Sequence, residues 1–289
     1  MDIKKIIYSS DRRIRFVWRI LIFASLLLLS LAPLLLINNS TLQFFGAAVV
    51  LMIGLYFNAR YLDKRDFSAY GLKLQQQTFV YLVVGILIGL LTVALLLGIG
   101  KLTETLSITK SSPSPELASA LLFGCKMLLV AIIEETLYRG YLFSNLYESL
   151  PSKSLSKSSA LILAVGLSSA LFGLAHFGND SASIRSVSFL TINGVVWCIP
   201  FILTRNLGLS IGLHAAWNFA QSLLGFTMSG NKAAHSFFTI KNVGPVVWTG
   251  GEYGPEAGLL GLIGFLIMLF LSLVYIRFYD GSIKHSPER

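Results

Sequence analysis

The chain alternates between long apolar runs and short polar breaks, a pattern much coarser than the amphipathic period of a soluble helix or strand. A helix rises about 1.5 Å per residue, so a run of roughly twenty apolar residues spans a bilayer's hydrocarbon core. Eight such runs can be traced: about Phe16 to Ile37, Leu42 to Phe57, Phe79 to Ile99, Leu117 to Phe143, Ala160 to Phe177, Val187 to Leu203, Leu207 to Phe226 and Ala257 to Tyr275. The first is longer than a signal-peptide core and shows no small-residue cleavage site, so it reads as an uncleaved transmembrane helix. The prediction is an all-α integral membrane protein, a polytopic bundle of about eight transmembrane helices. No internal repeat is visible, which argues against transporters built from duplicated halves.

Charge orients the bundle. Basic residues gather at the N-terminus (Lys4, Lys5, Arg12, Arg13, Arg15, Arg19), after the second run (Arg60, Lys64, Arg65, Lys73), after the fourth (Lys153, Lys157), at Arg205, and in the tail (Arg277, Lys284, Arg289). With eight spans all of these fall on one side, and the positive-inside rule makes that side, with both termini, cytoplasmic. The 289 residues are 54% hydrophobic and only 13% charged, with mean hydropathy +0.71. The net charge of +9 sits beside the apolar runs, as orientation signals and lipid headgroup contacts do, and not in a nucleic-acid-binding face. The two cysteines, Cys125 and Cys198, lie inside apolar runs and read as small core residues.

Against this background one stretch stands out. Glu134-Glu135-Thr136-Leu137-Tyr138-Arg139-Gly140 places two carboxylates and an arginine inside the fourth run. Each intramembrane charge costs about 2.5–3.5 kcal/mol on insertion scales, so such a cluster marks a functional site by default. Glu135 and Arg139 are four apart, share a helix face and can pair to hold helices together. Glu134 is turned by about 100° and has no local charged partner. Tyr138, four residues on, is placed to donate it a hydrogen bond. An unpaired, desolvated Glu suits general acid–base work.

Two further apolar runs carry polar tips. The fifth ends Phe172-Gly173-Leu174-Ala175-His176, and the seventh contains His214-Ala215-Ala216-Trp217-Asn218. Phe172 and His176 share a face, as do His214 and Asn218. His235 and His285 read as solvated. The chemistry that needs these types is proton transfer to and from water. A Glu deprotonates a water that a His orients, while a second His and an Asn hydrogen-bond the oxygen that gains charge. No cofactor is firmly implied. A divalent metal such as zinc could be held by Glu134, His176 and His214, although the H-E-x-x-H helix is absent. Gly208-Leu209-Ser210-Ile211-Gly212 matches G-x-S-x-G, but it opens a transmembrane helix instead of a strand-to-helix turn, so its glycines read as close-packing residues.

Glu134-Glu135-x-x-x-Arg139, Phe172-x-x-x-His176 and His214-x-x-x-Asn218, in this order on three membrane helices, resemble the CAAX-protease and bacteriocin-processing family (CPBP, also called ABI). Gly250-Gly251-Glu252-Tyr253-Gly254-Pro255-Glu256 also looks like a segment of many bacterial members. The resemblance implies an intramembrane glutamate-dependent endopeptidase. Glu134 and His176 would activate water, His214 and Asn218 would form the oxyanion site, and Glu135, Arg139, Tyr138 and Phe172 would support them. It divides the chain into N-terminal helices 1–3 (1–110), a CPBP-like catalytic core (111–280) and a cytoplasmic tail (281–289). Expected partners are the bilayer and a peptide or membrane-protein substrate, with no nucleic acid; the oligomeric state is open. Short loops and a single-domain build point to a prokaryotic inner membrane. A non-catalytic bacteriocin-immunity or peptide-binding protein and a proton-coupled transporter are the alternatives. One expectation fits badly: full-length spans would place His176 at the outer end of the fifth helix, well above Glu134 and His214.

Overall fold

The computed structural model describes residues 7–8, 13–110, 116–150, 155–232 and 236–280. His235, His285, Lys153 and the tail 281–289 lie outside the described residues. The architecture is the expected helical bundle. Helix α1 (Phe16–Leu31) continues as a 3-10 turn to Leu36, and α2 (Ser40–Phe57) continues to Asp63. They are followed by α3 (Gln76–Leu102), α4 (Leu117–Glu135), α5 (Ser144–Ser149), α6 (Lys157–Ala175), α7 (Ile184–Thr204), α8 (Gly208–Leu224), the short α9 (Val246–Thr249) and α10 (Leu259–Tyr275). Between α4 and α5 the helix widens to π geometry over Thr136–Phe143. Among the described residues, seven helical stretches are long and apolar enough to cross a membrane, so this is a multi-pass membrane protein.

The remaining predicted span is α8, with 17 residues. It is the axis of the bundle, buried everywhere except at Phe219, Leu223 and Leu224. A helix enclosed on all sides can carry polar residues on any face. That is why Ser210, His214, Asn218, Gln221 and Ser222 are all buried here.

Small residues let α3 approach α8 at backbone distance. A Cβ at Gly85 would lie 2.4 Å from Leu209 O, and one at Gly212 would lie 2.3 Å from Leu82 O. Gly89 in turn faces Ala216, so the residue numbers climb together and the two helices run parallel. On the other side Gly124 meets Phe219 and Gly140 meets Leu207, so α4 runs antiparallel to α8. These directions match the alternation of eight spans. Close approach of this kind replaces the hydrophobic drive that is missing between helices in lipid. Gly85→Val is therefore expected to lower the unfolding temperature sharply in detergent, by a ΔΔG of about 1–3 kcal/mol or more from overpacking. The same substitution at Gly98, where an added Cβ meets nothing, is the control.

Two features depart from the sequence reading. The loop expected after the seventh span contains β2 (Phe238–Asn242), which pairs antiparallel with β1 (Leu106–Lys110), Ile108 opposite Ile240. Both strands are only five residues long and mix apolar and polar positions, too little pattern to see without the partner. Cys198 is buried, but Cys125 is exposed on the outer face of α4, which corrects its reading as a core residue.

Candidate active site

The polar residues singled out in three separate runs meet beside α8. Glu134 and Glu135 end α4, just where the helix widens. Such π-helical departures are frequent at functional sites. Their two carboxylates point into different surroundings, as a 100° turn requires. The Glu135 side chain is fully buried, whereas that of Glu134 is 25% exposed.

Glu135 is a structural hub. Arg139 Nη1 donates to its Oε1 at 3.0 Å, the predicted pairing across one turn. Arg139 is itself buried, with Nη2 donating to Gly194 O at 3.1 Å and its guanidinium 4.4 Å from the Phe172 ring centroid. His214 Nδ1 also contacts Glu135 Oε1, at 2.8 Å. A carboxylate paired with arginine accepts hydrogen bonds, so Nδ1 carries the proton and donates. His176 Nδ1 lies 2.8 Å from Phe172 O. A carbonyl only accepts, so here too Nδ1–H donates. A ring held this way that carries one proton has its lone pair on Nε2.

Those two Nε2 atoms face the same oxygen. Glu134 Oε2 is 3.8 Å from His176 Nε2 and 3.8 Å from His214 Nε2, and it makes no hydrogen bond of its own. Phe172 packs between the histidines, with ring centroids 4.9 Å from His176 and 6.1 Å from His214. Asn218 is buried one turn beyond His214 on α8, and among the described residues its amide makes no hydrogen bond. Tyr138 corrects an expectation. Its ring stands edge-on to Phe172 at 5.4 Å, and its hydroxyl makes no hydrogen bond to Glu134.

The depth mismatch disappears for a geometric reason. The fourth helix runs to Ser149, so Glu134 lies near the middle of a 33-residue stretch and not past the middle of a shorter one. The fifth helix is only 19 residues long, and the chain turns at His176 instead of crossing further. Ser168 Oγ donates to Tyr138 O at 2.7 Å and sets the register between them. From that level Glu134 is about 6 Å up and His176 about 12 Å up at 1.5 Å per residue, a gap that helix tilt and side-chain length cover.

Several contributors had no role at the site assigned to them from the sequence. Trp197 of α7 stacks on His214, centroids 4.1 Å apart and planes 21° apart. Ser210, from the G-x-S-x-G match, donates to Trp197 O at 2.8 Å, so its hydroxyl is committed to holding α7 against α8. Glu256 is a buried carboxylate that accepts from Trp217 Nε1 at 2.7 Å. No periodicity links Glu256 or Trp197 to the motifs; only the fold brings them near.

Residues 116–220 match the family profile described as type II CAAX prenyl endopeptidase, Rce1-like. The match covers a little over a third of the chain. It runs from the residue before α4 into α8 and includes all three motif pairs, in agreement with the CPBP resemblance read from them. No curated protein and no solved structure matches the chain. Among the described residues, no group of three His, Cys, Asp or Glu side chains has a geometry that could hold a metal ion. Near this site, a cavity of about 300 Å³ between α3 and α4 ends on Ala215 and Ala216, the residues after His214. A cavity of about 490 Å³ between α1 and α2 is lined by none of the site residues.

Proposed function

We propose that the chain is an intramembrane endopeptidase that hydrolyses a peptide bond with a water activated by Glu134. One observation carries the reading: a carboxylate oxygen without a hydrogen bond, buried on a side chain that is otherwise part-exposed, lies 3.8 Å from two imidazole nitrogens, each oriented through its other nitrogen. A separation of 3.8 Å is too long for a direct hydrogen bond and suits groups that converge on a shared water.

In this mechanism Glu134 takes a proton from the water while His176 Nε2 accepts the other O–H and aims the oxygen. The new hydroxide adds to the carbonyl carbon, and the oxygen that gains charge is received by the Asn218 amide. Donation from His214 Nε2 requires the doubly protonated ring, because Nδ1–H is already engaged with Glu135. Glu134 then delivers its proton to the departing nitrogen, which breaks the C–N bond. Glu135, Arg139 and Phe172 orient the histidines. The donor set of Glu134, His176 and His214 includes types that bind zinc, and a metal there would polarise the carbonyl; no step above passes through one.

The substrate we propose is a peptide segment of a membrane-associated protein. The prenylated protein named in the family description is one candidate of that class. The apolar cavity ending at Ala215 and Ala216 offers a lateral route from the bilayer. The test is cleavage of a quenched fluorogenic peptide library in liposomes, with and without chelator. Cleavage that is unchanged by chelator supports the reading. Cleavage lost with chelator and restored by zinc moves the reaction to the metal class. Wild-type binding without cleavage would favour a peptide-binding protein.

A further inference from the structure

The glycine-rich segment 250–256 lies outside the Rce1-like match, yet the fold seats it against the site. Glu256 fastens it to α8. Its Oε1 accepts from Trp217 Nε1 at 2.7 Å and Gln221 Nε2 at 3.3 Å, and its Oε2 accepts from Ser229 N at 2.7 Å and Ser229 Oγ at 2.6 Å. Trp217 directly precedes Asn218. The opposite fastening reaches the His176 turn. Asn179 N donates to His176 O at 3.2 Å, and Asn179 Nδ2 donates to Ser229 O at 2.9 Å. Gly230 N then donates to Tyr253 O at 2.9 Å. Gly254 allows the tight passage: its φ is +104°, and a Cβ there would lie 2.1 Å from Thr227 O.

This frame holds Tyr253 between the His176 turn and the His214–Asn218 face of α8. Its ring is buried in the same apolar cluster as Phe172, Trp197 and Tyr138. Its hydroxyl is buried beside the Ser229 and Asn179 side chains, close enough to feel both, and no hydrogen bond of normal geometry engages it. Burial, and then the charges of Glu256 and Glu134, push the phenol above its usual range, so the O–H proton stays on. A buried hydroxyl without an acceptor costs free energy comparable to a lost hydrogen bond, so a protein that retains one has a use for the donor.

The reaction needs such a donor. In the neutral tautomer His214 presents a lone pair and not an N–H toward Glu134. An Asn amide alone is a sparse oxyanion site, since such sites present converging donors to the oxygen that gains charge. We propose that Tyr253 is a catalytic residue whose O–H donates to the scissile carbonyl oxygen beside the Asn218 amide. The inference rests on the endopeptidase reading above. No proton leaves the tyrosine. As water oxygen bonds to the carbonyl carbon, the C=O electron pair moves onto oxygen and is held by the two hydrogen bonds. When it returns, the C–N bond breaks and nitrogen takes the proton from Glu134.

The experiment is steady-state cleavage by full-length wild type, Tyr253→Phe and Glu134→Gln in detergent, on one fluorogenic peptide that wild type cleaves. Unfolding temperature is measured on each. Phe keeps the ring and removes only the unpaired hydroxyl, so Tyr253→Phe should unfold within a degree or two of wild type. Its kcat should fall on the order of 10²-fold, the usual cost of one oxyanion donor, with KM changed less than about twofold. Wild-type kcat in Tyr253→Phe, with Glu134→Gln inactive, overturns the Tyr253 role and leaves the peptidase reading intact. A raised KM at unchanged kcat, or a loss matched by a large drop in unfolding temperature, also overturns it. Cleavage by Glu134→Gln overturns the reading beneath it.

Discussion

Glu134→Gln is expected to reduce kcat by about 10³-fold or more while the protein folds normally. The size follows from two roles for one carboxylate, base toward the water and acid toward the leaving nitrogen; general acid–base contributions run about 10²–10⁴-fold. Normal folding follows from the contacts. Glu134 Oε2 makes no hydrogen bond, and its nearest charged-group partners are imidazoles at 3.8 Å. The amide is isosteric, so neither packing nor helix geometry changes. Initial rates and unfolding temperature in the same detergent check both halves. His176→Ala should lose less, because it removes the group that aims the water and not the one that takes the proton. Full cleavage by Glu134→Gln would end the proposed mechanism.

Arg139→Met is expected to have the largest effect on stability. It removes the ion pair to Glu135 at 3.0 Å, the bond to Gly194 O and the stacking on Phe172, all inside the bundle. The Glu135 carboxylate would then be left buried with only His214 as a partner. Breaking one side of a buried pair typically costs about 3–5 kcal/mol, whereas replacing both sides with uncharged groups of similar size is often close to neutral. The double variant Arg139→Met with Glu135→Met should therefore recover much of the loss in reversible unfolding, which a double-mutant cycle would quantify. Activity should not recover with it. His214 Nδ1 needs the Glu135 acceptor at 2.8 Å to keep its tautomer. Recovery of stability without activity separates the structural use of Glu135 from its orientation of His214. No recovery of stability would show that the charge pair is not what holds these helices.

Much of this protein was determined by its sequence alone. Apolar runs of membrane length set the spans, because backbone groups in hydrocarbon must be satisfied within helices. The four-residue spacings Glu135–Arg139, Phe172–His176 and His214–Asn218 set which polar groups share a face, because an α-helix repeats every 3.6 residues. The cost of intramembrane charge singled out Glu134 before any neighbour was known. Depth was not legible in the same way. Hydropathy does not distinguish a 33-residue helix that overshoots from a 19-residue one that stops at His176, since each contains a window apolar enough to span a membrane. The pairing of β1 with β2 joins residues more than a hundred positions apart, beyond any local pattern. The tautomers of His214 and His176 depend on whether a carboxylate or a carbonyl lies against Nδ1. Tyr253 and Glu256 carry no periodic signal, and their relation to the site comes from hydrogen bonds across distant loops. Helical period and hydrocarbon thickness act locally along the chain, so the sequence determined the spans and faces. Register, tilt and contacts between helices depend on how small residues such as Gly85 and Gly212 let backbones meet, and only the tertiary structure decided those.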